Sequence, residues 1–211
     1  MIDVQKALLV VGLAVGTYIL GSINFSIVLA RLLGKPDPRK FGSKNAGATN
    51  MARTAGKPAA VAVLLLDLGR AFVVIWGTRA LGLQDLAPAM ALPLLLGNLY
   101  PVLHRFRGGK GVAASVGAMV AIAPPVMLFG GGVFLLAAAL FRRVSIGSIL
   151  MCASYPAWFA LFNGTTAELA TAATIAAVVV VTHRRNIARL ARGVEPRIGE
   201  RRETEQAEAD R

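Results

Sequence analysis

The sequence predicts an all-α, polytopic membrane protein: a helical bundle of seven transmembrane helices, with the N-terminus outside and the C-terminus cytoplasmic. Three observations carry that reading. Of the 211 residues, 55% are hydrophobic and only 16% are charged, and the mean hydropathy is +0.61, too apolar for a soluble domain of this length. The apolar residues gather into runs approaching the roughly 20 residues that span a bilayer as a helix. The basic residues fall between those runs, as membrane topology requires. The net charge of +12 is therefore read as topology and not as a nucleic-acid surface.

Seven runs stand out: 5–33, 57–82, 86–104, 110–123, 125–141, 145–162 and 166–183. The first is a poor cleavable signal, since Asp3 and Lys6 offset each other and the apolar stretch runs too long. It reads as a retained helix, either continuous or broken near Gly21–Asn24. The second carries Asp67 and Arg70 one helical turn apart. Ionised groups at that depth are costly and usually paired, so they read first as an internal ion pair stabilising the bundle and second as part of a substrate site. The third ends at His104, as much an interfacial histidine as a catalytic one. The fourth and fifth meet at Pro124-Pro125, which disfavours helix on its N-terminal side and marks a tight turn. The sixth holds Cys152, the single cysteine, which excludes an internal disulfide and reads as a packing residue. After the seventh, residues 199–211 are polar, mixed in charge and without an apolar face, so they are expected to be disordered. Residues 1–198 then form one domain.

Lysine and arginine fix the orientation. Residues 31–57 hold seven, the 105–110 turn three, the 142–143 turn two and the tail from residue 184 eight, which places twenty of the 23 in four segments. With seven spans, all four segments share one side, which the positive-inside rule makes cytoplasmic. An even count, with 110–141 as one kinked helix, puts the 142–143 turn and the tail on the wrong side. The charges favour seven.

Three of these segments offer more than topology needs. "KFGSKNAGATNMARTAGK" (Lys40 to Lys57) has small residues that turn tightly and present backbone N–H groups. Ser43, Thr49 and Asn50 add side-chain donors, and Arg53 adds a planar fork suited to phosphate oxygens. The plain alternative is a flexible polar loop. "GGKG" (Gly108 to Gly111) precedes an apolar run, and N–H groups at a helix N-terminus beside Lys110 make a ready anion site. It is no Walker A motif, because the preceding glycine is missing and valine, not Ser/Thr, follows Lys110-Gly111. By itself it is equally a turn at the start of a helix. In "THRRNIARLARGVEPR" (Thr182 to Arg197), His183, Asn186 and Arg189 can share one helical face, and a histidine there can donate, accept or shuttle a proton near neutral pH. Arg184, Arg185 and Arg192 read equally well as headgroup contacts. "RRVSIGS" sets Ser145 and Ser148 at the start of the sixth span, where Ser145 can serve as a cap. Three anion-binding segments at one membrane face call for two phosphates, with an acyl chain or lipid entering sideways between helices.

These residues resemble a known family. "GSKNAGATNMAR" (Gly42 to Arg53), "RGGKGVAAS" (Arg107 to Ser115) and "HRRNIARLARGVE" (His183 to Glu195) are similar to the three signature motifs of the bacterial acyl-phosphate:glycerol-3-phosphate acyltransferases, the PlsY type, in the same order and spacing. The likeness runs from about Gly21 to Glu195. It implies a multi-pass enzyme of the bacterial inner membrane whose active site faces the cytoplasm. Such an enzyme moves a fatty acyl group from a long-chain acyl phosphate to the sn-1 hydroxyl of glycerol 3-phosphate. Lysophosphatidic acid and phosphate are the products, in the first step of phospholipid synthesis. The resemblance implies catalytic roles for Ser43, Arg53, Lys110, Ser145, His183 and Asn186. It implies substrate binding by Asn45, Gly47, Thr49, Asn50, Gly108, Gly109 and Gly111, and a structural role for Glu195. Two positions depart from the family pattern: Arg70 stands where lysine is more usual, and Ala114 where threonine is common. No cofactor is implied, and no metal, for the predicted cytoplasmic side lacks a carboxylate or His/Cys cluster. The expected partners are the two substrates and membrane lipid, without nucleic acid. The oligomeric state is left open, and a monomer suffices.

Acyl phosphate is a mixed anhydride with phosphate as its leaving group, so the enzyme needs positioning more than nucleophilic power. Arg53 and Lys110 are expected to neutralise phosphate charge, with Ser43, Asn50 and Ser145 as hydrogen-bond donors. The hydroxyl proton goes either to His183 or to the departing phosphate. The resemblance favours the second route, with His183 orienting glycerol phosphate. No serine or cysteine has the neighbours of a triad, so no acyl-enzyme is expected. Two rival readings are a membrane transporter of a phosphorylated small molecule and a non-enzymatic module for anionic lipid. Against the transporter, the candidate residues cluster at one face, whereas alternating access needs a midplane site.

Overall fold

The computed structural model describes residues 4–200, which contain helices and no strand. In chain order these are α1 (Val4–Gly21), α2 (Phe25–Leu32), α3 (Ala48–Thr54), α4 (Lys57–Ala80), α5 (Ala87–Leu99), α6 (Val112–Ile122), α7 (Pro124–Phe141), α8 (Val144–Leu161), α9 (Thr166–Thr182) and α10 (Arg184–Ala191), with a 3-10 turn at Val102–His104. Residues 201–211, most of the tail expected to be disordered, lie outside the described residues.

The first predicted span is broken at Ser22–Asn24. Asn24 starts the second piece, its Oδ1 accepting the Ile27 N–H at 3.1 Å, and this cap satisfies an otherwise orphaned donor. A break in an apolar setting also strands the last carbonyls of the first piece. Arg70 of α4 donates to the carbonyls of Leu20 (3.2 Å), Gly21 (3.1 Å) and Ile23. Asp67 holds the same guanidinium at 2.8 Å. The ion pair expected from the sequence is therefore the clasp of the broken helix. Arg79 acts likewise at the other end of α4, donating to the carbonyls of Ala121 and Ile122 where α6 ends.

Two helices are shorter than their apolar runs. α5 has 13 residues and α6 has 11. At about 1.5 Å per residue they reach roughly 20 and 16 Å, short of a hydrocarbon core of about 30 Å. Pro101 ends the run 86–104 early, because the residue before a proline is pushed out of the helical region; Tyr100 sits at φ −123°, ψ 62°. The run 110–123 turns helical only at Val112. By length and composition four stretches can cross a membrane: Val4–Leu32 taken across its break, Lys57–Ala80, Pro124–Phe141 and Val144–Leu161. A fifth is added if α9 and α10, bent by 57°, count as one.

Pro124 occupies the first turn of α7, directly after α6 ends. A missing N–H is harmless there, so the proline pair makes a tight turn. The core forms where α4, α5, α6, α8 and α9 meet, around the buried Ile75, Leu94, Met119, Tyr155 and Ile175. Cys152 packs in it as a free cysteine. Helices α1, α4 and α7 turn Leu8, Leu65, Val73, Leu128 and Leu135 outward, an apolar surface suited to lipid.

Candidate active site

The three motifs meet because their loops dock on one another. In the first, Asn50 of α3 is buried and its amide is fully used. It donates to the carbonyls of Pro38 (2.6 Å) and Phe41 (3.1 Å) and accepts the Ser43 N–H at 2.9 Å. Asn50, expected to donate to substrate, instead ties the Pro38–Ser43 turn to α3. Asn24, at the break of the first span, donates to the Ala46 carbonyl at 3.2 Å. Arg39 reaches across to the carbonyls of His104 (2.8 Å) and Arg107 (3.3 Å), which staples the first loop to the second.

The glycines of GGKG serve contact more than phosphate. Gly108 N–H donates to the Leu99 carbonyl (3.1 Å) and Gly109 N–H to the Asn98 carbonyl (3.0 Å), so neither is left for an anion. A Cβ on Gly108 would stand 2.1 Å from the Asn98 oxygen, and one on Gly111, at φ +82°, 2.1 Å from Leu95 Cδ1. Only glycine tolerates that approach and that backbone. The packing against α5 sets Lys110 just before α6, its ammonium bonded to Asn186 Oδ1. Thr182 Oγ1 donates to the Lys110 carbonyl at 3.3 Å.

Glu195 is the hub of the third motif. Its Oε1 accepts from Ser145 Oγ (2.8 Å) and Asn186 Nδ2 (2.7 Å), and its Oε2 pairs with Arg189 Nε at 2.6 Å. Arg143 Nε donates to the Glu195 carbonyl at 3.1 Å. One carboxylate thus joins α8, α10 and, through Asn186, the GGKG loop. His183 stands at the bend between α9 and α10, its Nδ1 2.8 Å from the Val179 carbonyl. In the neutral ring that nitrogen donates, which leaves Nε2 as an acceptor.

These segments enclose an open cavity of about 880 Å³. Its lining is mixed: Arg53, Lys110, His183, Asn186 and Arg189 supply cations and polar groups, and Leu64, Val112, Ala113 and Phe134 supply apolar surface. Among the described residues Arg53 is in no salt bridge. Burial pushes the Lys110 ammonium down to about 8, with Glu195 opposing and Arg189 and Arg53 adding to the fall. Burial also works against a charged Glu195, but the hydrogen bonds from Arg189, Asn186 and Ser145 outweigh it and hold its carboxyl below the usual range. Five cations (Arg53, Lys57, Lys110, Arg189 and Arg197) line the cavity against three carboxylates, of which Asp67 and Glu195 are already paired, and a bound anion relieves the cations' repulsion. Among the described residues no three His, Cys, Asp or Glu side chains converge as a metal site.

Of the residues singled out in the sequence, Ser43, Asn45, Gly47, Thr49, Arg53, Gly109, Lys110, Gly111, Ser145, His183 and Asn186 all line this cavity. Gly108 lies instead on a smaller cavity of about 280 Å³ beyond the Lys110–Asn186 contact. Asn50 lies behind the wall, and His104 lines neither space. Sequence reasoning missed the tie made by Asn24 and the cavity-lining Asn98. A lone amide inside an apolar run, as in "LLLGNLY", was the available signal.

Comparison with known proteins agrees with this geometry. The family model described as glycerol-3-phosphate acyltransferase matches residues 11–193. The glycerol-3-phosphate acyltransferase of Cupriavidus taiwanensis is 39% identical over 194 residues, covering 90% of this chain and 96% of that one. Its counterpart in Thioalkalivibrio sulfidiphilus is 42% identical over 193 residues, covering 91% and 95%. Among solved structures, the fold is similar to PlsY (YgiH), an integral membrane glycerol 3-phosphate acyltransferase, in its glycerol 3-phosphate form. That match has a TM-score of 0.85 at 36% identity, over 90% of this chain and 96% of the other. The lysophosphatidic acid form of PlsY matches with a TM-score of 0.82, over 89% and 94%. The transporter and lipid-binding readings give way to an enzyme: this chain belongs to the glycerol-3-phosphate acyltransferase family, the membrane acyltransferases of PlsY type.

Proposed function

We propose that the protein transfers a fatty acyl group from acyl phosphate to the sn-1 hydroxyl of glycerol 3-phosphate, releasing lysophosphatidic acid and inorganic phosphate. The observation that carries this is the mixed lining of one cavity, in which Arg53, Lys110 and Arg189 share the walls with Leu64 and Phe134. A molecule with a phosphate head and an acyl tail needs both kinds of surface, and a second phosphate makes use of the several cations. The solved relative in glycerol 3-phosphate and lysophosphatidic acid forms supports the same acceptor and product.

In this reading the glycerol phosphate and the acyl phosphate are held side by side by Arg53 and Lys110, with Ser43 and Asn45 as neutral contacts. The acceptor oxygen attacks the acyl carbonyl carbon, the bond to the phosphate oxygen breaks, and the departing phosphate takes the hydroxyl proton. His183 Nε2 accepts from the glycerol and orients it. Ser145 donates to the Glu195 carboxylate, which Asn186 and Arg189 already hold and which is a weak base for that reason. The pair is a tie between elements, and transfer is direct. Glu195 and Asn186 position Lys110 and Arg189.

We place the cations of the cavity at the cytoplasmic face of the bacterial inner membrane. The chain then crosses seven times, N-terminus outside, with α5 and α6 as short spans in one domain, and the reaction is the first step of phospholipid synthesis. The charge distribution supports that arrangement. The test is phosphate release by the purified full-length protein in lipid vesicles given acyl phosphate, with and without glycerol 3-phosphate. Release that depends on glycerol 3-phosphate is expected, and its absence sinks the reading.

A further inference from the structure

One aromatic ring is among the residues that line the cavity, and its place is set by one glycine. Phe134 lies on α7 about two turns before its end at Phe141, facing the cavity with Leu64 and Asp67 of α4 and Ser148 of α8. It packs on Gly147 of α8: a Cβ there would stand 2.9 Å from Phe134 Cδ2 and 3.0 Å from the Phe134 carbonyl oxygen. α4 packs on α6, and α7 on α8. All four helices contribute residues to the cavity lining. Leu64, itself a lining residue, is exposed, as are its neighbour Leu65 and, beside Phe134, Leu135 and Leu136, so an apolar surface adjoins this part of the cavity.

From this we infer that the Phe134–Gly147 pair selects the acyl chain. The inference rests on the acyl-phosphate reading above. The carbonyl must lie among the cations, and the tail then runs past Leu64 and Phe134 toward the exposed leucines. A short tail ends before the ring. A long tail must pass it to reach the surrounding lipid, so the ring acts as a sill whose height Gly147 sets. Glycine at 147 in "VSIGS" thereby has a reason separate from the hydrogen-bonding serine two residues earlier. Removing the ring lowers the sill; adding a methyl group at residue 147 drives the ring away from α8 and into the passage.

The test uses the full chain in detergent micelles and a series of donors from dodecanoyl to octadecanoyl phosphate at saturating glycerol 3-phosphate. Phe134→Ala is expected to raise the octadecanoyl-to-dodecanoyl ratio of kcat/KM by about tenfold, the range a hydrophobic pocket can discriminate. Gly147→Ala is expected to move the ratio in the opposite direction. Phe134→Leu, which keeps most of the packing, is expected to shift it the same way as Phe134→Ala and carries the test should that variant not fold. An unchanged ratio in the folded variants, or one uniform loss across all donors, overturns the inference. A wild-type protein that releases no glycerol-phosphate-dependent phosphate from any donor overturns the donor reading first, before any variant is compared.

Discussion

Two groups of charge sit within this apolar bundle, and they are arranged in opposite ways. Around Arg70 the guanidinium donates to three backbone carbonyls and pairs with Asp67, with both side chains only 7% exposed. Around Lys110 the cation has one amide oxygen for company, and it faces a cavity that it shares with Arg53 and Arg189. A buried charge satisfied on every side holds a structure together. One left facing open space with like charges nearby is poised for an anion that arrives later. The first arrangement lets a helix break; the second makes a site of the loops that the break and the short helices bring together.

Removing each charge separates the two roles. Lys110→Ala is expected to lower kcat/KM by about 10²–10³-fold, the usual loss when a positioned donor to developing charge is removed. Its thermal unfolding should stay close to wild type, because deleting a cation held uphill in a buried place removes no net stabilisation. Arg70→Met is expected to do the reverse. It leaves the Asp67 carboxylate and three carbonyls unpaired, at a cost of about 3 kcal/mol, seen as a lower unfolding temperature and less folded protein. The folded fraction should keep most of its turnover. A Lys110→Ala variant with normal kcat/KM, or an Arg70→Met variant as stable as wild type, breaks the contrast.

Glu195 tests a case in between, since its carboxylate is saturated with partners yet touches the site through Asn186 and Arg189. Glu195→Gln is expected to raise the KM for glycerol 3-phosphate about tenfold, as for loss of a charged hydrogen bond worth roughly 1.5 kcal/mol, with a smaller change in kcat. Its folded-state carboxyl titrates below the usual value. Its contribution to stability is therefore complete above the ordinary carboxylate range and is lost as pH falls through the lower folded value. An acid-unfolding profile of the Gln variant that matches wild type removes Glu195 as the hub.

Lys110 gives the alkaline counterpart. Its folded pKa of about 8 lies below the ordinary 10.5, so between those values the folded protein binds fewer protons than the unfolded chain. Stability contributed by this group rises through that window, while the charge that holds phosphate disappears. The KM for glycerol 3-phosphate is expected to climb as pH passes about 8. Lys110→Arg should keep its KM flat to higher pH, because guanidinium stays charged. Equal pH profiles for the two proteins exclude Lys110 as the titrating group.

The sequence made the membrane class, the order of the helices and the identity of the three anion-rich segments legible, because hydropathy and charge act locally. It also marked Asp67 and Arg70 as a pair, since helical spacing puts them one turn apart. What it could not show is how the segments meet. Gly108 and Gly109 looked like a phosphate cradle because their small size suits either purpose. Only the packing against Asn98 and Leu99 decides between them. Asn50 looked like a donor to substrate, yet its partners at Pro38, Phe41 and Ser43 are set by how the loop folds back. The lengths of α5 and α6 were overestimated for a similar reason: the apolar runs continue, but Pro101 stops α5 and Gly111 delays the start of α6.

The smallest change is expected where a histidine draws the most suspicion. His183 holds its Nδ1 against the Val179 carbonyl at 2.8 Å and sits at the bend that aims α10, so the geometry suits a ring that orients the acceptor. Burial, and then the neighbouring Lys110, disfavour a positive charge on its ring, whereas the departing phosphate gains basicity as its bond to carbon breaks. His183→Gln, which keeps an acceptor near Nε2, is therefore expected to raise the KM for glycerol 3-phosphate several-fold and to lower kcat by far less than the 10²–10⁴-fold that an obligatory general base supplies. Steady-state rates at saturating glycerol 3-phosphate decide the matter. A kcat lost by that larger factor, in a variant that still unfolds at the wild-type temperature, assigns the proton to His183 and not to the phosphate.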